Sequence, residues 1–268
     1  MNNDNKIVLA IVAHPDDAEF LCAGTLALLR EKGWRIEMAT MTAGDCGTRE
    51  YSREKISEIR KKEAATAADI LDARYHCLDC DDIFLMYDRP TLLKTISLIR
   101  KVKPKLVLTM SPSCYMVDHE TTSRLVQTAC FSAGIVNIKT EENSPYYYIP
   151  YLYYLDPMDG KDIFGNEVQA GTIVNISDTM EIKETMLTCH ESQRNWLLMH
   201  HGMDEYVRAM KELSKKRGNE ISKKYAEGFR QHLGHAFPQD NLLKQELNEE
   251  AVVGDLIEKS YAPSITSK

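Results

Sequence analysis

Apolar residues run without a break from Ile7 to Ala13 and stop at His14-Pro15-Asp16-Asp17. A run of that length, rich in Ile and Val, predicts a strand buried on both faces, as at the centre of a parallel sheet. Pro15 ends it, because proline gives the ladder no donor and biases the preceding residue away from helix. Glu19 to Glu31 then carries apolar residues at helical spacing, with Gly33 placed as a C-cap. The pattern continues with a strand over Arg35 to Thr42, a loop over Thr42 to Gly47, and an amphipathic helix over Ser52 to Leu71. A strand over Arg74 to Cys80, a helix over Pro90 to Val102 and a strand over Leu106 to Met110 follow. This alternation predicts an α/β fold, a Rossmann-like three-layer sandwich with a mostly parallel central sheet and extra C-terminal helices.

The second half is less regular. Asp118 to Ala133 reads as helix, Tyr146 to Leu155 as an aromatic strand region and Thr172 to Ile176 as a strand. Glu181 to about Arg230 reads as mostly helix, broken near Gly202 and Gly218. Periodicity is weak from Pro238 onward, which predicts a segment that drapes over the body or frays. With no internal repeat and no low-complexity linker, the expectation is one domain over 1–268, with a core over 1–140, added strands and helices over 141–237 and a tail over 238–268.

Composition narrows the function classes. The chain has 268 residues, 27% charged and 43% apolar, with a net charge of −7. That acidity, with no basic stripe, argues against nucleic acid or an anionic membrane as the main partner. The first residues, MNNDNK, lack a cationic leader and the apolar run after them is too short to span a bilayer, so the expectation is a cytoplasmic protein with no membrane span. Seven cysteines, an odd number scattered along the chain, predict reduced thiols. Cys77 and Cys80 have CxxC spacing, but a tetrahedral structural zinc needs a second pair and none exists; burial of small side chains on a short strand accounts for them.

The chemistry sits at predicted strand ends. His14 and Asp17 flank a proline turn at a spacing that lets one imidazole nitrogen and one carboxylate oxygen converge on a cation. The third ligand is expected from Asp118-His119, after the fourth strand and therefore on the same sheet edge. Two His and one Asp leave a position for water, the pattern of a catalytic zinc. Asp16, beside Asp17 but pointing elsewhere, is then the expected general base for a metal-bound water. A plainer reading makes Asp16 a turn or helix cap and Asp118 an N-cap. Between the first strand and helix the chain reads HPDDAEFLCAG, without a phosphate-cradling glycine fingerprint, so a nucleotide-cofactor enzyme is not expected.

These residues resemble the PIG-L/LmbE family of zinc-dependent deacetylases acting on N-acetylglucosamine-containing molecules. The resemblance is carried by Ala13-His-Pro-Asp-Asp17 with Glu19 one residue late, by Thr42-x-Gly44-Asp45-x-Gly47, by Arg60-x-x-Glu63 and by Asp118-His119. It implies His14, Asp17 and His119 as ligands of Zn2+ and Asp16 as general base. A His2Asp donor set also suits Fe2+ or another divalent ion, and Asp118, on the catalytic side, is expected to accept from a histidine and orient it. The resemblance also implies Arg60 as a substrate-contacting residue, and Gly44 and Asp45 as shaping the loop beside the metal. Pairing of Arg60 with Glu63 or Glu58 on the helix surface, and a positive-φ turn at the glycines, are the structural alternatives. Glu227 and Phe229 in KYAEGFR are assigned to packing.

One departure matters. Many relatives have a histidine where this chain has Met116, and methionine cannot donate to an oxyanion. Zinc alone, or Tyr115, His190, His200 or His201, is left to serve, with His190 preferred and a helix-surface histidine as the plainer reading of it. The tyrosines of PYYYIPYLYY, residues 145–154, are read either as stacking faces for a sugar or as a strand or dimer contact. The implied partner is a small N-acetylated sugar or glycoconjugate, with a homo-oligomer left open. The alternatives are a family hydrolase of a different amide conjugate and a non-catalytic sugar-binding member of the fold.

Overall fold

Every residue of β1 (Ile7–Val12) is buried, and its side chains divide by parity between two cores. Val8, Ala10 and Val12 join one apolar cluster, while Ile7, Leu9 and Ile11 join the other. A strand covered on both faces needs helices on both sides, so the apolar run translates directly into three layers. The structure, a computed structural model, describes residues 5–193 and 205–253.

β2 (Arg35–Thr42), β3 (Arg74–Cys80), β4 (Leu106–Thr109) and β5 (Tyr151–Leu155) build the parallel part of the sheet around β1, in the order β3-β2-β1-β4-β5. β6 (Thr172–Asn175), β7 (Ala226–Gln231) and β8 (Ala251–Val253) continue it through antiparallel pairings in the order β5-β7-β6-β8, giving a sheet of 8 strands among the described residues. One face is covered by α1 (Asp17–Leu21), α2 (Ala23–Glu31), α3 (Arg53–Asp69), α6 (Met180–Thr188), α7 (Glu205–Glu220) and α8 (Leu242–Leu247). The other face is covered by α4 (Arg89–Val102) and α5 (Val117–Ser132). The α/β fold with a mostly parallel sheet is as the sequence predicts. Among the described residues no helix is long and apolar enough to cross a membrane.

Three expectations about elements need correction. The helix read over Glu19 to Glu31 is two helices, broken at Cys22. The restart exposes fresh amides at the head of α2, and Glu227 accepts from Gly24 N at 3.0 Å and Thr25 N at 2.8 Å. A carboxylate at a helix N-terminus satisfies orphan donors and opposes the helix dipole.

The helix expected to run to about Arg230 ends with α7, and 226–231 is a strand in the sheet. The chain reverses after Gly218, where Lys223 N donates to Gly218 O at 2.8 Å and a Cβ would lie 2.7 Å from Lys223 O. Gly202 lies outside the described residues. The strand hides from periodicity because its side chains do unusual things. Glu227 caps α2, and Gly228 leaves room for the Arg217–Asp156 pair, which any side chain there would strike. The tail is also more ordered than expected as far as Val253, since α8 packs on the core and β8 forms an edge strand.

Tyr153 and Tyr154 of β5 face the two cores. Tyr153 is fully buried and its hydroxyl donates to Gln231 Oε1 at 3.2 Å, while the hydroxyl of Tyr154 lies 2.9 Å from His232 Nδ1. Neither lines the cavity described below.

Candidate metal centre and active-site cavity

The loops that follow β1, β2, β3 and β4 meet at the carboxyl edge of the parallel strands, where α/β sheets hold ligands. In the first of them Asp16 adopts φ 104° and ψ −26°. A left-handed backbone at a non-glycine residue costs about 1–3 kcal/mol, and such strain concentrates at functional sites. Arg60, on α3, holds the turn. Its Nη2 donates to Pro15 O at 2.8 Å and to Asp16 Oδ2 at 3.3 Å, and its Nη1 to Gly44 O at 3.2 Å.

The glycines of the loop after β2 make room for that guanidinium. Gly44 has φ +65°, and a Cβ on it would collide with Arg60; a Cβ on Gly47 would lie 2.8 Å from Arg60 Nη1. Gly44 therefore meets both the turn requirement and the close approach, and Gly47 only the second. Asp45 turns away from the cavity, accepting from Asp82 N at 2.9 Å and from Arg53 Nε. Arg60, expected to contact substrate, lines the cavity but is only 4% exposed, and Gly44 and Asp45, expected to shape the loop beside the metal, do not line it.

His14, Asp17 and His119 converge as expected. His14 Nδ1 lies 3.4 Å from Asp17 Oδ2, His119 Nε2 lies 3.5 Å from Asp17 Oδ1, and all three residues are buried. Ligands about 2.1 Å from a tetrahedral ion sit roughly 3.4 Å apart, so the spacing fits a divalent cation. The ionisation states suit one as well. Burial would raise the Asp17 carboxyl, but His119 and His14 outweigh it and hold the group at about 2. Burial keeps His119 below the usual imidazole range, which leaves a lone pair free. Burial would also lower His14, yet the hydrogen bonds it donates to Asp118, Asp17 and Asp82 hold it well above that range, so a cation binding here must displace its proton.

Asp118 does not act as an N-cap. The cap position of α5 is Met116, and Asp118 Oδ2 instead accepts from Ile83 N at 2.8 Å and lies 3.4 Å from His14 Nε2. Asp16 stands beside this group at the cavity wall, its carboxyl raised by burial against the opposing pull of Arg60. Asp82, which the sequence reading passed over, lies 3.1 Å from His14 Nε2. Its only signal was an acidic cluster, Asp79, Asp81 and Asp82, at the end of a predicted strand.

The cavity has a volume of about 1210 Å³. Apolar groups line its walls, among them Phe20, Tyr115, Met158 and Leu213. Of the donors considered for an oxyanion, Tyr115 lines the cavity and sits edge-on to His119, with ring centroids 5.4 Å apart. His190 does not line it; it is fully buried with Nε2 3.2 Å from Glu19 Oε1, so it is neither an oxyanion donor here nor a surface histidine. His200 and His201 lie outside the described residues. Tyr206 lines the cavity beside Asp16, and its hydroxyl makes no hydrogen bond of good geometry. Cys77 and Cys80 join no group of metal-donor side chains among the described residues.

Known proteins share this arrangement of chain. The family described as PIG-L, GlcNAc-PI de-N-acetylase, matches residues 9–130. Diacetylchitobiose deacetylase of Thermococcus kodakarensis is 31% identical over 198 residues, 71% of each chain. 4-oxalmesaconate hydratase of Pseudomonas putida is 26% identical over 203 residues, 73% of this chain and 77% of that protein. The solved structure of N,N'-diacetylchitobiose deacetylase from Pyrococcus horikoshii, complexed with its inhibitor MPG, has a TM-score of 0.73 at 25% identity and covers 88% of each chain. With a buried His-Asp-His group at the sheet edge and this degree of similarity over more than two thirds of its length, the chain belongs to the PIG-L family of de-N-acetylases.

Proposed function

We propose that this protein hydrolyses the acetamide of an N-acetylglucosamine-type sugar, releasing acetate and the free amine. The observation that carries the reading is the convergence of His14, Asp17 and His119 with Asp16 at the wall of one cavity. A divalent cation held by those three residues, zinc by preference, supplies Lewis acidity toward the carbonyl oxygen and makes a water more acidic.

Asp16 does the proton work. Its carboxylate takes a proton from the attacking water as the carbon–oxygen bond forms, then returns it to the nitrogen as the carbon–nitrogen bond breaks. Burial raises the carboxyl toward the operating range of a base, while Arg60 keeps the anion accessible and fixes its direction. Asp118 holds His14 in place from the Nε2 side. Tyr115 is the wall group suited to donate to a developing oxyanion in place of the histidine that Met116 replaces.

The hydratase relative suggests addition of water to an unsaturated polycarboxylate as a rival chemistry on the same fold. The cavity's charge disfavours it. Among the described lining residues stand Asp16, Asp17, Asp82, Asp118, Asp159 and Glu212, against Lys216 and Arg60, which is engaged by two backbone carbonyls and by Asp16 itself. Even with a divalent cation on His14, Asp17 and His119 the acidic side chains outnumber the positive charges, which repels a polyanionic substrate and not an uncharged sugar. A purely binding role leaves the strained, buried Asp16 without a purpose.

The test is release of acetate from N-acetylglucosamine and N,N'-diacetylchitobiose by the zinc-loaded protein, with Asp16→Asn and His119→Ala as controls. Amine and acetate in equal amounts, lost in both variants, are the expected result. Absence of acetate alongside hydration of 4-oxalmesaconate would replace this reading with the rival.

A further inference from the structure

His14 uses its two ring nitrogens in opposite directions. Nδ1 faces Asp17 Oδ2 at 3.4 Å, on the side shared with His119, whereas Nε2 faces Asp82 Oδ1 at 3.1 Å and Asp118 Oδ2 at 3.4 Å. A neutral imidazole carries one proton, and the nitrogen that holds it cannot ligate a metal. Both nitrogens face carboxylates, but Nδ1 and Asp17 share the side turned to His119, where a cation would take both, so the one proton of the neutral ring is left on Nε2, where the carboxylate of Asp82 accepts it. The ring plane and the tautomer are thus decided from the Nε2 side.

Asp82 is itself held rigidly for this task. Cys46 N donates to its Oδ2 at 3.1 Å, and its own backbone N–H donates to Asp45 Oδ1 at 2.9 Å. Asp45 in turn takes Arg53. Two loops, after β2 and after β3, are therefore tied together behind the nitrogen of a residue that follows β1. Asp82 is almost fully buried although it borders the cavity, and the proposed reaction assigns it no proton transfer.

We propose that Asp82 is a positioning residue that fixes the Nε2–H tautomer of His14 and so aims Nδ1 at the cation. The inference rests on the reading that a divalent ion occupies the His14, Asp17 and His119 group. It contrasts with the other use of the same atoms, a second ion between His14 Nε2, Asp82 and Asp118, whose donor atoms also lie within 4.8 Å of one another. Two ions on one ring would require it to give up both protons, which makes the single-ion arrangement the one the chemistry favours.

The full-length protein tests this with zinc alone, titrated against a competing chromophoric chelator. Wild type is expected to bind one equivalent. Asp82→Ala is expected to bind it 10–100-fold more weakly, the usual effect of losing the partner of a ligating histidine, and Asp82→Asn, whose amide oxygen still accepts from Nε2–H, is expected to lose less. Asp81→Ala, a neighbour on the surface, is expected to bind as wild type does. Long-range nitrogen–proton NMR on histidine-labelled, zinc-loaded wild type is expected to show the His14 proton on Nε2, which a merely structural role for Asp82 would not dictate. Unchanged affinity in Asp82→Ala, a proton on Nδ1, or two equivalents in wild type with one lost in the variants would each overturn the proposal. Loss of zinc affinity in a protein that releases no acetate would leave it standing and remove the deacetylase reading instead.

Discussion

Two parts of this molecule bury charge in opposite ways. Around β7 the charges are matched. Arg217 donates to both oxygens of Asp156 at 2.7 and 2.9 Å, and Lys183 reaches Glu227 at 2.5 Å while Glu227 also caps α2. At the ends of β1, β3 and β4 they are not. Asp16, Asp17, Asp82 and Asp118 are buried together with Arg60 as the buried guanidinium among them. A matched pair is complete as it stands, and breaking it leaves an ion with no solvent. An excess of carboxylates around two imidazoles is incomplete, and a divalent cation is the group that completes it.

The sharpest break of that contrast is in activity. Asp16→Asn is expected to lower acetate release by about 10²–10⁴-fold, the range for losing a general base, with zinc content and melting temperature near wild type. Comparable activity in the variant, measured by coupled acetate assay, would remove the base. Next is Lys183→Met, which strands Glu227 and is expected to cost about 3–5 kcal/mol in denaturant unfolding. That deficit should persist with and without zinc, whereas in wild type chelation should lower stability by an amount that depends on zinc concentration, about 2.7 kcal/mol at a hundred times the dissociation constant. A Lys183→Met deficit that vanished on chelation would blur the two regions into one.

Gly44→Ala ranks third. The left-handed backbone and the collision with Arg60 together should cost about 3 kcal/mol, the upper end for a disfavoured conformation, and should lower turnover because Arg60 aims Asp16. The smallest effect is in pH. Asp17 is held at about 2, against an ordinary value of 3.8. A depressed carboxyl stabilises the fold above its unfolded value and loses that contribution as pH falls toward its folded value. The zinc-free protein should therefore lose about 2 kcal/mol between roughly pH 4 and pH 2 through this group, and Asp17→Asn should flatten that limb of the unfolding profile.

Much of the site was legible because its signals are local. An apolar run that stops at a proline fixes where a buried strand ends, and a strand end fixes which edge His14, Asp16 and Asp17 share. The same rule applied to Leu106–Met110 brought Asp118-His119 to that edge. The roles of Arg60, Gly44 and Asp45 were harder, because a residue on the right element can face the cavity or the turn behind it. Arg60 faces mostly the turn, since Gly44 and Gly47 leave a slot that admits a guanidinium. β7 was missed for a related reason: AEGFRQ carries neither clean alternation nor a helical stripe, because Glu227 and Gly228 serve α2 and Arg217 rather than a solvent face.

The sequence by itself determined the α/β order, the two-faced burial of β1 and the identity of the His-Asp-His group, because each follows from hydrophobic period and from residues close to a strand end. Tertiary structure alone decided which of Asp79, Asp81 and Asp82 reaches His14, that His190 pairs with Glu19, and that Tyr115 rather than His190 borders the cavity. Those choices depend on the direction of side chains from loops far apart in the chain. Short-range pattern carries no information about direction across such distances, and packing against a unique set of neighbours supplies it.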